Sequence, residues 1–333
     1  MARRAVVLMN LGGPDSPAAV RPFLYNLFSD PAIIDLPALL RRPVAWLIAR
    51  QRSRIASEIY AHLGGGSPLL ANTEAQARAL EAALGPEYRC FIAMRYWHPQ
   101  TEETVAAVAA WRPDEIVLLP LYPQFSTTTA GSSLKAWHDE AHRQRLTASA
   151  REVPPYPTEP GFIATLAGHI DEQLAEEGRP ARLLLSAHGL PLKIVRKGDP
   201  YPAQIESTAA AVINALEHRP EDWRVCYQSR VGPLAWLGPS VDEEIRRAGQ
   251  DKVGVVIAPI SFVSEHSETL VELDRDYRRL AESCGVPFYR RAATVGTDPR
   301  FIAGLARLVR EQLAPAAAEQ PAMAAASASS FNP

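Results

Sequence analysis

Apolar residues in this chain fall in short unbroken runs rather than alternating with polar ones. AVVLMNL (5–11), CFIAMRY (90–96) and EIVLLPLY (115–122) come first; RLLLSAH (182–188), WRVCYQS (223–229), VGVVIAP (253–259) and VPFYRR (286–291) follow. Runs this long, rich in Val, Ile and Leu, predict strands buried on both faces. Stretches of helical periodicity separate them, such as ANTEAQARALEAALG (71–85) and TLAGHIDEQLAEEG (165–178). Strands alternating with helices predict an α/β fold with parallel sheets and crossover helices. The order repeats on either side of residues 150–180. The chain therefore reads as two similar α/β halves facing each other across a cleft, residues 1–155 and 156–313, with VPPYPTEPGF (153–162) as the linker. The pattern leaves open which half the closing helix, DPRFIAGLARLVREQL (298–313), packs against.

Composition narrows the function. The length of 333 residues exceeds what one small core needs, and 47% hydrophobic with 22% charged residues is ordinary for a globular protein. A formal net charge of -2 gives no global field that favours nucleic acid, so none is expected as a partner. Cys90, Cys226 and Cys284 are scattered with no CxxC pair, which argues against a zinc ribbon or a disulfide framework. They read as small core residues in a reducing compartment. MARRAVVLMNLGGPD lacks the long apolar stretch of a signal peptide and reads as a first strand and turn. No run of 18 apolar residues predicts a transmembrane helix. Residues 314–333, low in complexity, are expected to be disordered.

In open α/β sheets, chemistry collects in loops at the carboxyl ends of strands. Here those loops are loaded: NLGGPDS (10–16), WHP (97–99), PQFSTTTAGSS (123–133), HGLP (188–191), RVGPLAWLGP (230–239) and ISFVSEHSE (260–268). LGGP lacks both the GxGxxG spacing and the P-loop lysine, so it reads as a glycine turn. GGGSP (64–68) could bring backbone N–H groups and the Ser67 hydroxyl to an anion, but taken alone it reads as a loop. His188 closes a strand just before a Gly-Leu-Pro turn. A histidine there is more often structural than catalytic, and only its place at a strand's carboxyl end raises the case. The GxSxG elbow of hydrolases is absent.

The richest stretch is SFVSEHSETLVELDRDY (261–277). Glu265, His266 and Glu268 crowd four positions, and Glu268, Glu272 and Asp276 recur every four. A helix dipole accounts for acids in the first turn but not for a stripe that continues beyond it. Like charges four apart also repel. The stripe reads as a polar route for metal or protons, with ligands that suit divalent iron without selecting it. Residues 24–55, LYNLFSDPAIIDLPALLRRPVAWLIARQRSRI, are apolar and then basic. They read either as a core helix with a solvated end, or as a lip against a membrane or a large apolar ligand.

In order, NLGGPDS, GGGSPL, RYWHP, LYPQFSTTTAGSS, SAHGLP, GDPYP, QSRVGPLAWLGP and SFVSEHSETLVELD resemble ferrochelatase, the terminal enzyme of haem synthesis. The resemblance implies two Rossmann-like, chelatase-type halves with a porphyrin cleft between them. It implies Fe(II) as substrate, inserted into protoporphyrin IX to give protohaem. His188 corresponds to the family's active-site histidine, expected to accept protons. Glu268 corresponds to the glutamate facing it across the cleft, and the two are the expected metal ligands. Glu265 (where many relatives have aspartate), His266, Glu272 and Asp276 would form an acidic relay. Leu11, Arg52, Ser67, Arg95, Tyr96, Tyr122 and Trp236 fall on porphyrin-contacting positions, with Arg52 and Ser67 at the propionates. Thr127 stands where cluster-bearing relatives have a cysteine, and the tail has none, so no iron–sulfur cluster and no tightly bound cofactor are expected. Leu11 stands where coproporphyrin-metallating relatives have tyrosine, which favours protoporphyrin. The protein is expected in the cytoplasm, with the lip resting on the inner membrane face. The alternatives are a chelatase for another tetrapyrrole, such as coproporphyrin III or a corrin precursor, and a non-catalytic porphyrin or haem carrier.

Overall fold

A computed structural model describes residues 2–177, 179–230, 232 and 234–314. The expected disordered tail lies outside the described residues except for Ala314. The apolar runs form parallel strands in two four-stranded sheets. The first contains β1 (Arg4–Asn10), β2 (Tyr88–Met94), β3 (Glu115–Pro120) and β4 (Ser149–Glu152), in the order β2-β1-β3-β4. The second contains β5 (Ala181–His188), β6 (Trp223–Gln228), β7 (Gly254–Pro259) and β8 (Tyr289–Arg291), in the order β6-β5-β7-β8. The order is the same in both sheets, and helices flank each. The central strands β1, β3, β5 and β7 are buried almost throughout, which is why their sequences do not alternate. β4 is an exposed edge strand of sequence SARE and has no apolar run to betray it.

One hydrophobic core runs through both sheets. Leu8 and Leu119 of the first and Leu183, Leu185 and Val256 of the second belong to it, together with Phe162 and Phe301. Those two phenylalanine rings lie 6.0 Å apart between the helix Pro160–Glu177 and the closing helix Pro299–Leu313. The closing helix also packs on the helix Leu69–Leu84, so it serves both halves. Glu159, 5% exposed, fastens this junction by accepting from the Phe162 N–H at 2.6 Å and from Arg307 Nη2 at 2.6 Å. Gly304 leaves room for that carboxylate, since a Cβ there would sit 2.4 Å from it.

Two buried amides cross between the halves. Gln76 Nε2 donates to the carbonyls of Val263 (2.8 Å) and Gly296 (2.9 Å), and its Oε1 accepts from Ser264 Oγ (3.0 Å). Gln124 Nε2 donates to Thr208 Oγ1 (2.8 Å) and to the Ile260 carbonyl (3.1 Å). The lip is built from the helices Val20–Phe28 and Ala38–Ala61, which pack on each other. Leu39 (89% exposed), Ile55 (63%) and Leu40 (59%) stand in solvent there. Among the described residues, no helix is long and apolar enough to cross a membrane.

Candidate active site

β5 ends at His188, and the π-helical run Glu268–Asp276 follows β7 after a short loop. The neighbouring strands bring the two segments together: His188 Nδ1 lies 2.8 Å from Glu268 Oε2. The imidazole is anchored through its backbone, with its N–H donating to Ser261 Oγ (3.2 Å) and its carbonyl accepting from Tyr201 OH (3.2 Å). Its side chain keeps 43% of its surface exposed, so it is open to a ligand. With Nδ1 engaged, Nε2 is the nitrogen left to meet a reacting group. Burial works against protonation of His188, but the carboxylate of Glu268, with that of Glu272 behind it, outweighs burial and raises the imidazole's pKa above its ordinary value. Burial likewise opposes ionisation of Glu268, and the facing imidazole overrides it and holds the carboxyl well below the usual range.

The sequence reading set Glu268 across the cleft from His188. The structure corrects this. His188 Nδ1 and Glu268 Oε2 are 2.8 Å apart, so the two side chains touch rather than face each other across a gap.

The acidic stripe also acquires a local cause. In a π-helix the hydrogen bonds run from i to i+5, which widens the turn beyond four residues. Positions four apart, Glu268, Glu272 and Asp276, therefore stack more nearly in line than on an α-helix. Glu272 accepts from four donors: Ser229 N–H (2.8 Å) and Tyr277 OH (3.1 Å) on Oε1, Gln228 Nε2 (3.1 Å) and Ser229 Oγ (2.5 Å) on Oε2. Burial and the charge of Glu268 nonetheless push its pKa up. Asp276 is exposed at the end of the run.

Glu265 points elsewhere: its Oε1 accepts from Arg291 Nη1 (2.9 Å) and the Thr294 N–H (3.0 Å). Burial raises its pKa, but Arg291 overrides this and holds the carboxyl below its ordinary value. His266 sits edge-on to Phe262, ring centroids 4.6 Å apart, with its Nδ1 buried and unpartnered. Burial pushes its imidazole down despite the nearby carboxylates. Among the described residues, no three His, Cys, Asp or Glu side chains converge on a ready-made metal cage. The pair His188–Glu268 offers one nitrogen and one carboxylate.

Other expected positions are divided. Trp236 packs on Gly189, the residue after His188, 3.3 Å from where a Cβ there would stand. Ser67 is held to the first loop, its N–H donating to the Pro14 carbonyl at 2.7 Å, and a Cβ on Gly13 would strike its side chain at 2.5 Å. The glycines of LGGP and GGGSP thus let two loops pack tightly, which bears out the turn reading over a phosphate loop. Leu11 is half-buried against the lip helices. Arg52 is half-buried over the Phe28 ring at 5.7 Å, and burial alone depresses its pKa, with no carboxylate to offset it.

Arg95 and Tyr96 are committed internally to Asp30. Asp30 Oδ2 accepts from Arg95 Nη2 at 2.6 Å and from Tyr96 OH at 2.8 Å. Tyr96 is 1% exposed, so its side chain presents almost no surface in the cleft. Tyr122 borders a separate cavity of ≈ 220 Å³ lined by residues between Pro120 and Tyr156, none of them in the His188–Glu268 cluster. Sequence reasoning missed Gln76, Gln228, Ser229 and Asp30. Polar residues of these types usually lie on the surface, and nothing local marks them as buried or engaged.

A family model described as "Ferrochelatase" matches residues 3–313. A ferrochelatase of Caulobacter vibrioides is 59% identical over 316 residues, covering 93% of this chain and 90% of that protein. One from Phenylobacterium zucineum is 56% identical, covering 91% and 89%. Among solved structures, SirB from Bacillus subtilis with Fe3+ matches with a TM-score of 0.53 at 13% identity, covering 93% of this chain and 95% of that one. The sirohydrochlorin chelatase SirB of a Bacillus subtilis subspecies in complex with cobalt gives a TM-score of 0.55 at 11% identity, with the same coverage. These structures establish likeness of fold.

Proposed function

The chain belongs to the ferrochelatase family, and from that premise we propose that it inserts Fe(II) into protoporphyrin IX, with His188 accepting the pyrrole protons. The reaction exchanges two N–H protons of the macrocycle for one divalent metal. A flat ring hides its nitrogen lone pairs in the plane, so a site that holds it distorted exposes them. The reading rests on one observation: a solvent-open imidazole at a strand's carboxyl end, hydrogen-bonded at 2.8 Å to a carboxylate that starts an acidic run. A neutral imidazole takes one proton, Glu268 stabilises the imidazolium, and the proton passes by way of Glu272 and Asp276 to solvent before the imidazole takes the second; Glu268 can then hold the incoming metal. Iron is cargo here, and a site that passes it on needs ligands that also release it.

Arg52, with no carboxylate partner among the described residues, suits a propionate through a charge-assisted contact. Trp236 gives the ring an aromatic wall beside His188. The apolar lip would cover the macrocycle and rest on the inner membrane, leaving the protein cytoplasmic and peripheral. No tightly bound cofactor is proposed: Cys90, Cys226 and Cys284 sit on separate elements, and Thr127 donates to Asp199 (2.7 Å) where a cluster ligand would stand.

The test is anaerobic incubation with ferrous iron and protoporphyrin IX, then with coproporphyrin III, followed by absorbance. Multiple turnovers with protoporphyrin are expected. Turnover only with coproporphyrin overturns the ring assignment, and stoichiometric binding without turnover makes the protein a carrier.

A further inference from the structure

The acidic route as read above needs Glu272 fixed behind the catalytic pair, and two consecutive residues do the fixing. Gln228 is fully buried at the end of β6; its Oε1 accepts from Ser186 Oγ (2.7 Å), and its Nε2 donates to the Glu268 carbonyl (3.0 Å) and to Glu272 (3.1 Å). Ser229 follows in the left-handed region, at φ 61°. Local preference would put glycine or asparagine there, because a serine Cβ crowds the following carbonyl. What that backbone achieves is visible in the contacts. The peptide N–H of Ser229 reaches Oε1 of Glu272 and its hydroxyl reaches Oε2. Among the four donors on Glu272, Ser229 alone spans both carboxylate oxygens, so it fixes the carboxylate's rotation as well as its position.

We infer that Ser229 is a positioning residue for metallation: its N–H and hydroxyl together clamp Glu272 behind His188 and Glu268, and its strained backbone is retained because it presents both donors at once. The inference rests on the proposed role of Glu272. It separates Ser229 from a residue that merely closes a strand.

The test uses the full-length protein and a double-mutant cycle of Ser229→Gly and Glu272→Gln. Glycine suits the φ and keeps the N–H, so a purely structural serine would be replaced without loss. Ser229→Gly is expected to melt no lower than wild type. Its kcat should fall about tenfold, the size of one lost hydrogen bond to a charged acceptor, with porphyrin KM within about twofold of wild type. In the Glu272→Gln background, Ser229→Gly should cost nothing further, because the clamp has lost its object. Losses that multiply in the double variant, or wild-type kcat in Ser229→Gly, overturn the proposal. Wild-type kcat in Glu272→Gln removes the acidic route and the clamp's purpose with it. An inactive wild-type protein would instead condemn the chelatase reading, which the parent assay shows separately.

Discussion

His188 must be neutral to take a proton, and its neighbours make that harder near neutrality. Glu268 and Glu272 raise the imidazole's pKa despite burial. The protonated fraction grows as pH falls through that pKa, so kcat/KM should decline on the acid side with an apparent pKa above the ordinary histidine value of about 6.5. Glu268→Gln removes the main charge that raises it. The acid limb of the pH profile should move to lower pH even as the maximal rate drops; a limb that stays put would show that His188 is not the titrating base. Arg52 is a simpler case. Among the described residues no carboxylate depends on it, so Arg52→Ala should leave the melting temperature near wild type and raise porphyrin KM about tenfold through loss of a charge-assisted contact. Unchanged KM would take the propionate elsewhere.

Elements tell how far the sequence could be read. Buried strands announce themselves, since a run such as VGVVIAP needs apolar residues on both faces. SARE, in β4, does not, because an edge strand in solvent has no such requirement. The acidic stripe was legible as a period of four, but the period does not say that the helix is wound to match it. Nor could the sequence say that His188 and Glu268, 80 residues apart, touch; only the adjacency of β5 and β7 does that. The lip was legible as an apolar stretch, and its exposure decides what it can be. Leu39 and Leu40 lie outside the core, so replacing both with Ser should leave folding intact. Co-sedimentation with anionic vesicles should fall in the same variant. If neither the wild type nor the variant binds vesicles, the lip is only a gate for the ring.

At the scale of the whole molecule, the halves are stitched near the site. Gln76 reaches from the first half into the loop that precedes Glu268; its bonds to Val263 and Ser264 are buried and the one to Gly296 is partly so. Gln76→Leu strips the Gly296 carbonyl and the Ser264 hydroxyl of their Gln76 partners in the interior, while the Val263 carbonyl keeps the Gly296 N–H at 3.1 Å. It should cost about 2–3 kcal/mol in denaturant unfolding, the range for stranded buried polar groups. A loss below about 0.5 kcal/mol would mean the halves hold together without this stitch.

The matching strand orders carry one more consequence. Met9 pairs with Pro120 in the first sheet, and Ser186 with Pro259 in the second. Laying one register on the other puts Leu11 at the station of His188, each two residues past its paired strand position. The two sheets thus present equivalent corners with different chemistry: one carries an imidazole, the other a hydrocarbon side chain. A disc bound between them as proposed would meet different chemistry on its two faces, a base on the His188 side and hydrocarbon at Leu11. Leu11→His would put an imidazole at the second corner and offer that disc a base on either face.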